Sequence, residues 1–425
     1  MLDATLIRQD PDHVREQLNR KGFTDAEHWL DTFLTNDAAH AEIRRELEAK
    51  QAELNANSKR IGELKRQGED AQALLDAMGG LSSDVKRLKD HERELATKRE
   101  QALLELPNLP DDSVPDGTTE ADSVVVHERS GHSPHEAAKP HWEWMGERGW
   151  LDLDAGTKLA GAGFPVIRGN GVRLQRALEG FFLDTLVEEG FTEMRVPLLA
   201  NETSARATGQ LPDKEGQMYG VDDGFFLIPT SEVALTNLHR DEILDANQLP
   251  IRYTALTPCF RREAGSYGKD VRGLNRVHQF DKVEMVAFVA PDEGHNMLET
   301  MTQTAERMLD GLGLRYRRLL LCTGDMGFTQ TKTYDLEVWS PGQERFLEVS
   351  SISLLGDFQA RRLQTRARPG GASGSGSTAH VHTLNGSALA LPRTFAALIE
   401  TYGDPDGDLH VPDVLQERVG STTLG

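Results

Sequence analysis

From about Ala38 to Leu106, apolar residues recur in alternating steps of three and four among Ala, Gln and charged side chains, and proline is absent. Ile43, Leu47, Leu54, Ile61 and Leu64 fall on the a and d positions of a heptad. Leu74, Met78, Leu81, Val85, Leu88, Leu95, Ala102 and Leu106 form a second run, with Glu92 and Arg99 filling its gaps. Such a seam predicts a two-helix coiled coil. The stretch between the runs, "KRQGEDAQ", is short and holds Gly68, so the helices are predicted to be antiparallel. Gly79 and Gly80 interrupt the second run. Each costs up to about 1 kcal/mol relative to Ala in a helix, which marks either a weak point or a tip further along than Gly68.

The texture differs on either side. Residues 1–30 read as a short helical lead-in. After the arm, "LPNLPDDSVPDGTTEADS" stops the helix at Pro107 and Pro110 and reads as a linker. Beyond Val124, amphipathic helices such as "GVRLQRALEGFFLDTLVEEG" and "HNMLETMTQTAERMLDGLG" alternate with strand-like runs such as "FFLIPTSEV", "VEMVAFV" and "YRRLLLC". Neither GxGxxG nor GxxxxGK[ST] occurs, which argues against a parallel nucleotide-binding sheet. The expected class is α+β, an antiparallel sheet with flanking helices plus the N-terminal antiparallel two-helix arm.

Charge sharpens this picture. The chain of 425 residues carries a formal net charge of −21, which excludes a general nucleic-acid coat. Residues 41–106 hold thirteen Lys/Arg against fourteen Asp/Glu, so the arm is near neutral and the remainder carries almost all the acidity. The arm pattern fits an oligomerisation element or a rod lying on RNA, and charge does not separate the two. Cys259 and Cys322 are too few for a disulfide framework and lack zinc spacing, so free thiols in a reducing cytoplasm are expected. The charged start "MLDATLIRQDPDHVREQLNRKG" and the lack of any long apolar run predict neither a signal peptide nor a membrane span.

Three stretches carry candidate chemistry. "FRREAGSYGKDVRGLNRVHQFDKVE", from Phe260 to Glu284, mixes five basic residues up to Arg276 with three glycines and closes on a strand-like segment. It reads as a hairpin with a basic loop. Alternation places Arg261 and Glu263 on one face of the first strand, and Phe280, Lys282 and Glu284 on one face of the second. An Arg fork suits a phosphate or carboxylate, and a Phe face suits a base; an ordinary charged hairpin is the alternative. In "TYDLEVWSPGQERFLEVSSISLLGDFQARR", Glu337 and Glu348 lie near strand ends and hydroxyls follow Glu348, a partial oxygen set for Mg²⁺. In "VHTLNGSALALPRTFAALIETYG", Pro392 is placed to open a helix. Arg393 then stands where the helix dipole disfavours a cation, which suggests an anionic partner or a solvated surface side chain.

In order and spacing, these stretches resemble the class II aminoacyl-tRNA synthetases, specifically the seryl-tRNA synthetase family. The resemblance spans essentially the whole chain: "DPDHVREQLNRKG", the arm, "LPNLP", "KPHWEW", "TGQLP", "IPTSEVALTNLH", the basic hairpin, "GDMGF", "KTYDLEVWSPGQ", "DFQARR" and "HTLNGSALALPRT". It implies a tRNA-binding domain at residues 1–110 with the arm at about 38–106, and a catalytic domain at 111–425. It further implies ATP and Mg²⁺ without zinc, L-serine, serine tRNA docked on the arm, and a homodimer joined near Pro197; charging of selenocysteine tRNA stays open. Arg261 and Arg393 are the expected catalytic arginines. Arg261, Arg262, Glu263, Phe280, Glu348, Val349, Ser350, Ser351 and Arg393 are expected to bind ATP, with Glu348 and Ser351 on the metal. Thr230, Ser231, Glu232, Arg261, Glu284, Asn385 and Ser387 are expected to bind serine, and Lys269 and Arg272 to meet the tRNA acceptor end.

Ile352 and Leu354 stand where relatives commonly have Cys and Asn, Pro392 where Gly is frequent, and Ser231 where "TSE" often has Ala. None removes a named catalytic group. They leave open a divergent second enzyme with altered inhibitor tolerance. A non-catalytic RNA-binding relative would have lost the arginines, and a ligase loading a carrier protein would lack the arm.

Overall fold

A computed structural model describes residues 1–213, 216–263 and 272–425, which form two compact units, Met1–Leu109 and Pro110–Gly425. In the first unit, short helices Ala4–Gln9 and Pro11–Arg20 are capped by Asp3 and Asp10, whose carboxylates accept from the Thr5 and His13 amides. Helix Ala26–Gln67 then runs without a break from the lead-in into the arm, starting twelve residues before Ala38. It stops at Gly68, whose φ of 75° is the left-handed C-cap that glycine adopts readily. The return helix Gln72–Glu105 is continuous through Gly79 and Gly80. The tip is therefore at Gly68, and the two glycines are weak points inside a helix.

The seam is the predicted one: Ile61, Leu81, Val85, Leu88, Leu95 and Ala102 are buried. Its two polar gaps are filled across the pair. Arg99 Nε donates to Asp37 at 2.5 Å, and His40 Nε2 meets Glu92 at 2.8 Å. Side chains that match only in one register specify the antiparallel alignment.

The second unit is built on an eight-stranded sheet. Its strands run in the order Val124–Arg129, Tyr316–Leu320, Lys332–Ser340, Arg345–Gly356, His382–Ala390, Gln279–Val289, Ile251–Phe260 and Thr192–Glu193, antiparallel except for the last pair. Strand Gln279–Val289 is central. Met285 and Ala287 face a core with Leu178, Phe182, Met301 and Leu398, while Val286 and Phe288 face a smaller cluster with Leu235 and Val381. Burial on both faces is why "VEMVAFV" reads as an almost unbroken apolar run.

Two strand readings need correction. In "FFLIPTSEV" only Phe225–Leu227 is extended, and Glu232 opens the short helix Glu232–Thr236. The basic hairpin's paired strands end at Phe260 and resume at Gln279, so Arg261 and Glu263 lie just past a strand. Glu263 has a φ of 46°, a bend that polar patterning does not signal.

A Cβ at Gly79 or Gly80 meets nothing within 4 Å. Gly79→Ala and Gly80→Ala should each stabilise the arm by up to about 1 kcal/mol, read as stronger hydrogen-exchange protection in the return helix. Gly68→Ala, forced into positive φ, should weaken protection at the tip.

Candidate active site

The sheet and the helix Leu391–Tyr402 enclose a cavity of about 640 Å³. Arg261, Glu263, Phe280, Glu348, Val349, Ser351 and Arg393 line it, together with Thr230, Glu232, Glu284, Asn385 and Ser387. Residues from four separated stretches of sequence thus share one space.

One end is buried and acidic. Glu232 is 7% exposed and Glu284 2%. Lys282, also buried, forms an ion pair with Glu284 Oε2 and donates to Thr230 Oγ1 at 3.0 Å. A carboxylate oxygen has two lone pairs, so Glu284 Oε2 retains accepting capacity beside the Lys282 ammonium. Glu232 Oε1 accepts from Gln359 Nε2 at 2.7 Å, and Gln359 is itself fixed by Thr383. Burial, and then the Glu284 charge, push the Glu232 carboxyl up to about 7. This end is therefore poised to take up a cation.

The other end is cationic. Arg261 Nε donates to the Pro229 carbonyl at 3.3 Å, and its guanidinium carbon lies 5.3 Å from the centre of the Phe280 ring. Arg393 Nε donates to the Asn275 carbonyl and Nη1 to the Glu348 carbonyl, both at 2.9 Å. Glu263 pairs with Arg276 at 3.0 Å.

The position of Glu348 depends on a bulge. Glu337 pairs with Glu348 and Leu336 with Ser350, so Val349 is an extra residue in strand Arg345–Gly356. Strict alternation would set Glu348 and Ser351 on opposite faces, but the bulge brings both into the cavity lining. Asp335, opposite Ser351, has a buried Oδ1 with no hydrogen-bond partner among the described residues. Burial, and then the Glu348 charge, push its pKa well up. A hard cation on the Glu348 and Ser351 oxygens would relieve that repulsion, so the donor set and its surroundings fit Mg²⁺. Glu337 is instead held by Arg317.

Not every expected residue lines this cavity. Arg262 is turned away, its guanidinium 5.4 Å from the Tyr219 ring centre. Ser231 and Ser350 are buried and donate to the Ala255 and Ser387 carbonyls, roles that support backbone and leave their hydroxyls unavailable to a ligand. Arg272 is exposed and outside the lining, and Lys269 lies outside the described residues. Ile352 and Leu354 sit in the core, so those departures do not alter the lining, whereas Pro392 borders it. The sequence placed Lys282 on one strand face but assigned it no role, and Asn275 and Gln359 were not singled out at all. Only Lys282 left a signal, the "DKVE" alternation that places it beside Phe280 and Glu284.

An antiparallel sheet that brings one arginine from a hairpin and another from a helix start into a single cavity defines the class II aminoacyl-tRNA synthetase core. Residues 219–402 match the family described as tRNA synthetase class II core domain (G, H, P, S and T), and residues 1–110 match the seryl-tRNA synthetase N-terminal domain. The serine–tRNA ligase of Salinibacter ruber is 49% identical over 100% of this chain and 99% of its own length. The structure of seryl-tRNA synthetase from Pyrococcus horikoshii complexed with ATP matches with a TM-score of 0.92 at 33% identity, covering 100% of this chain and 99% of that one. The cytoplasmic serine–tRNA ligase of Naegleria fowleri in complex with AMP gives 0.87 at 25% identity, covering 100% and 98%. The chain belongs to the seryl-tRNA synthetase family.

The Glu232 shift gives a signed prediction. Its folded pKa of about 7 exceeds the ordinary 4.5, so its contribution to stability is full below the lower value and is lost as pH rises through the upper one. Glu232→Gln should therefore show a smaller loss of melting temperature than the parent between about pH 5 and pH 8. Equal pH slopes would contradict the assignment.

Proposed function

We propose that the chain condenses L-serine with ATP to seryl-adenylate and pyrophosphate, then transfers the seryl group to the 3′-terminal ribose of serine tRNA, releasing AMP. The observation that carries this reading is the convergence of Arg261 and Arg393 on one cavity whose far end is a buried pair of carboxylates.

In the first step a serine carboxylate oxygen attacks the α-phosphorus and pyrophosphate leaves on the opposite side. This needs alignment and charge neutralisation, with no protein nucleophile. Arg261 bridges the carboxylate and the α-phosphate, Phe280 stacks on the adenine, Glu263 receives its amino edge, and Arg393 holds the γ-phosphate. Glu348 and Ser351 hold Mg²⁺, which neutralises phosphate charge. Thr230, Glu232, Glu284, Asn385 and Ser387 receive the serine ammonium and hydroxyl. A buried site whose polar groups need that hydroxyl rejects alanine, because its absence leaves them unpaired. In the second step the ribose hydroxyl attacks the adenylate carbonyl and AMP departs.

The remaining assignments follow the same reading. Lys269 and Arg272 meet the acceptor end, and the arm docks on the tRNA, with selenocysteine tRNA a second candidate for that surface. Homodimerisation is supported by Leu198 and Leu199, exposed just after Pro197, and by Val221 and Phe225, exposed on the two strands that share the small sheet of Leu199. Action in the cytoplasm is consistent with Cys259 and Cys322 being free. No described helix is long and apolar enough to cross a membrane.

Serine-dependent ATP–pyrophosphate exchange without tRNA tests the first step. Arg261→Ala should lower it by about 10²–10³-fold, the usual cost of one charge-stabilising donor; retained exchange would refute the mechanism. Removing residues 38–106 should leave exchange near the parent level but cripple tRNA charging, and full charging by that deletion would refute the arm's role.

A further inference from the structure

His141, in "KPHWEW", has no place in the chemistry above, yet it is completely buried and its ring is fully committed. It opens helix His141–Glu147. Its Nε2 accepts the Leu274 amide hydrogen at 2.8 Å, so the ring proton resides on Nδ1, which donates to Glu400 Oε1 at 2.8 Å. Glu400 lies two helical turns beyond Arg393 on helix Leu391–Tyr402. Its carboxylate also accepts from the His141 and Gly342 amides, Gln343 Nε2 and Ser340 Oγ. Burial alone would raise the Glu400 pKa, but the bonds from His141 and Ser340 outweigh it and hold the group ionised.

The far side of the ring meets the limb that returns from the basic loop. Leu274 and Asn275 both line the cavity, and the Asn275 carbonyl orients Arg393 Nε at 2.9 Å. Asn275 Nδ2 also donates to Gln343 Oε1 at 2.8 Å, closing the circuit back to Glu400. This limb precedes the paired strand that starts at Gln279, so its place rests on such contacts. Gly273 accommodates the approach: its φ is +63°, and a Cβ there would lie 2.3 Å from His141 Nε2.

We propose that His141 is a positioning residue for the activation step: its Nε2 bond to the Leu274 amide sets the limb so that Asn275 aims Arg393 at the ATP phosphates. The proposal rests on the reading of Arg393 as the phosphate clamp. It predicts an effect on ATP that spares serine, because Thr230, Glu232, Glu284 and Ser387 are set by strands and a helix start on which His141 has no hold.

The test compares two substitutions in the full-length chain. His141→Gln retains an acceptor near the Nε2 position, whereas His141→Asn retains a donor to Glu400 and loses the Leu274 bond. In ATP–pyrophosphate exchange, His141→Gln should keep kcat/KM for ATP within about three-fold of the parent. His141→Asn should lower it about ten-fold or more, since small displacements of a positioning group are costly, with kcat/KM for serine at saturating ATP changed by no more than about two-fold and both variants melting together. Gly273→Ala disturbs the same bond from the limb side and should repeat the ATP-selective loss. Parent-like ATP kinetics in His141→Asn or Gly273→Ala, equal losses for ATP and serine, or losses that track melting temperature would overturn the proposal. Absence of serine-dependent exchange in the parent would instead overturn the underlying reading of the site.

Discussion

Arg261 and Arg393 are both oriented by backbone carbonyls, from Pro229 in one case and from Asn275 and Glu348 in the other. A carbonyl fixes a guanidinium without cancelling its charge, whereas a carboxylate in close bidentate contact would do both. The Glu348 carboxylate makes only a longer, single-point ion pair with Arg393 Nη1, at 3.5 Å. Two cations are thus held in one cavity with their charge available for phosphates, in a chain whose net charge is −21. The architecture supports this constraint. The sheet supplies the Pro229 neighbourhood and the bulge at Val349, the helix Leu391–Tyr402 carries Arg393, and the Glu400–His141–Leu274 circuit ties that helix to the returning limb.

The opposite end of the cavity obeys the complementary rule. Glu232 and Glu284 are carboxylates in a dry space, a costly arrangement unless something compensates. Lys282 compensates Glu284, and partial protonation relieves Glu232. In the proposed reading, an incoming ammonium group would replace that proton, and a hydroxyl would meet the remaining accepting capacity of Glu284 Oε2. A short amino acid would then lie with its carboxylate toward the cationic end, where Arg261 would meet it.

Much of this was legible in residue order because the signals were periodic. The arm seam followed the heptad, and the central strand announced itself as a double-sided apolar run. Phe280 and Glu284 line the cavity from one face of their strand, as alternation placed them, whereas Arg261 and Glu263 reach it from beyond the end of theirs. What stayed hidden depends on departures from period. The bulge that turns Glu348 and Ser351 to one face adds a residue that polar patterning does not mark. Arg262, Ser231 and Ser350 belong to the right motifs but face away or serve backbone carbonyls, because neighbours on a strand or turn alternate in direction. The partners of Glu232 and Arg393, Gln359 and Asn275, lie far away in sequence and adjacent only in space.

In the proposed site one bent nucleotide is held between the two guanidinium groups. A crystal structure of this chain with ATP and serine tests it most directly. The adenine should stack on Phe280, with Arg261 and Arg393 each within about 3 Å of phosphate oxygens of the same triphosphate. A triphosphate that leaves the cavity, or that engages only one of the two arginines, would contradict it.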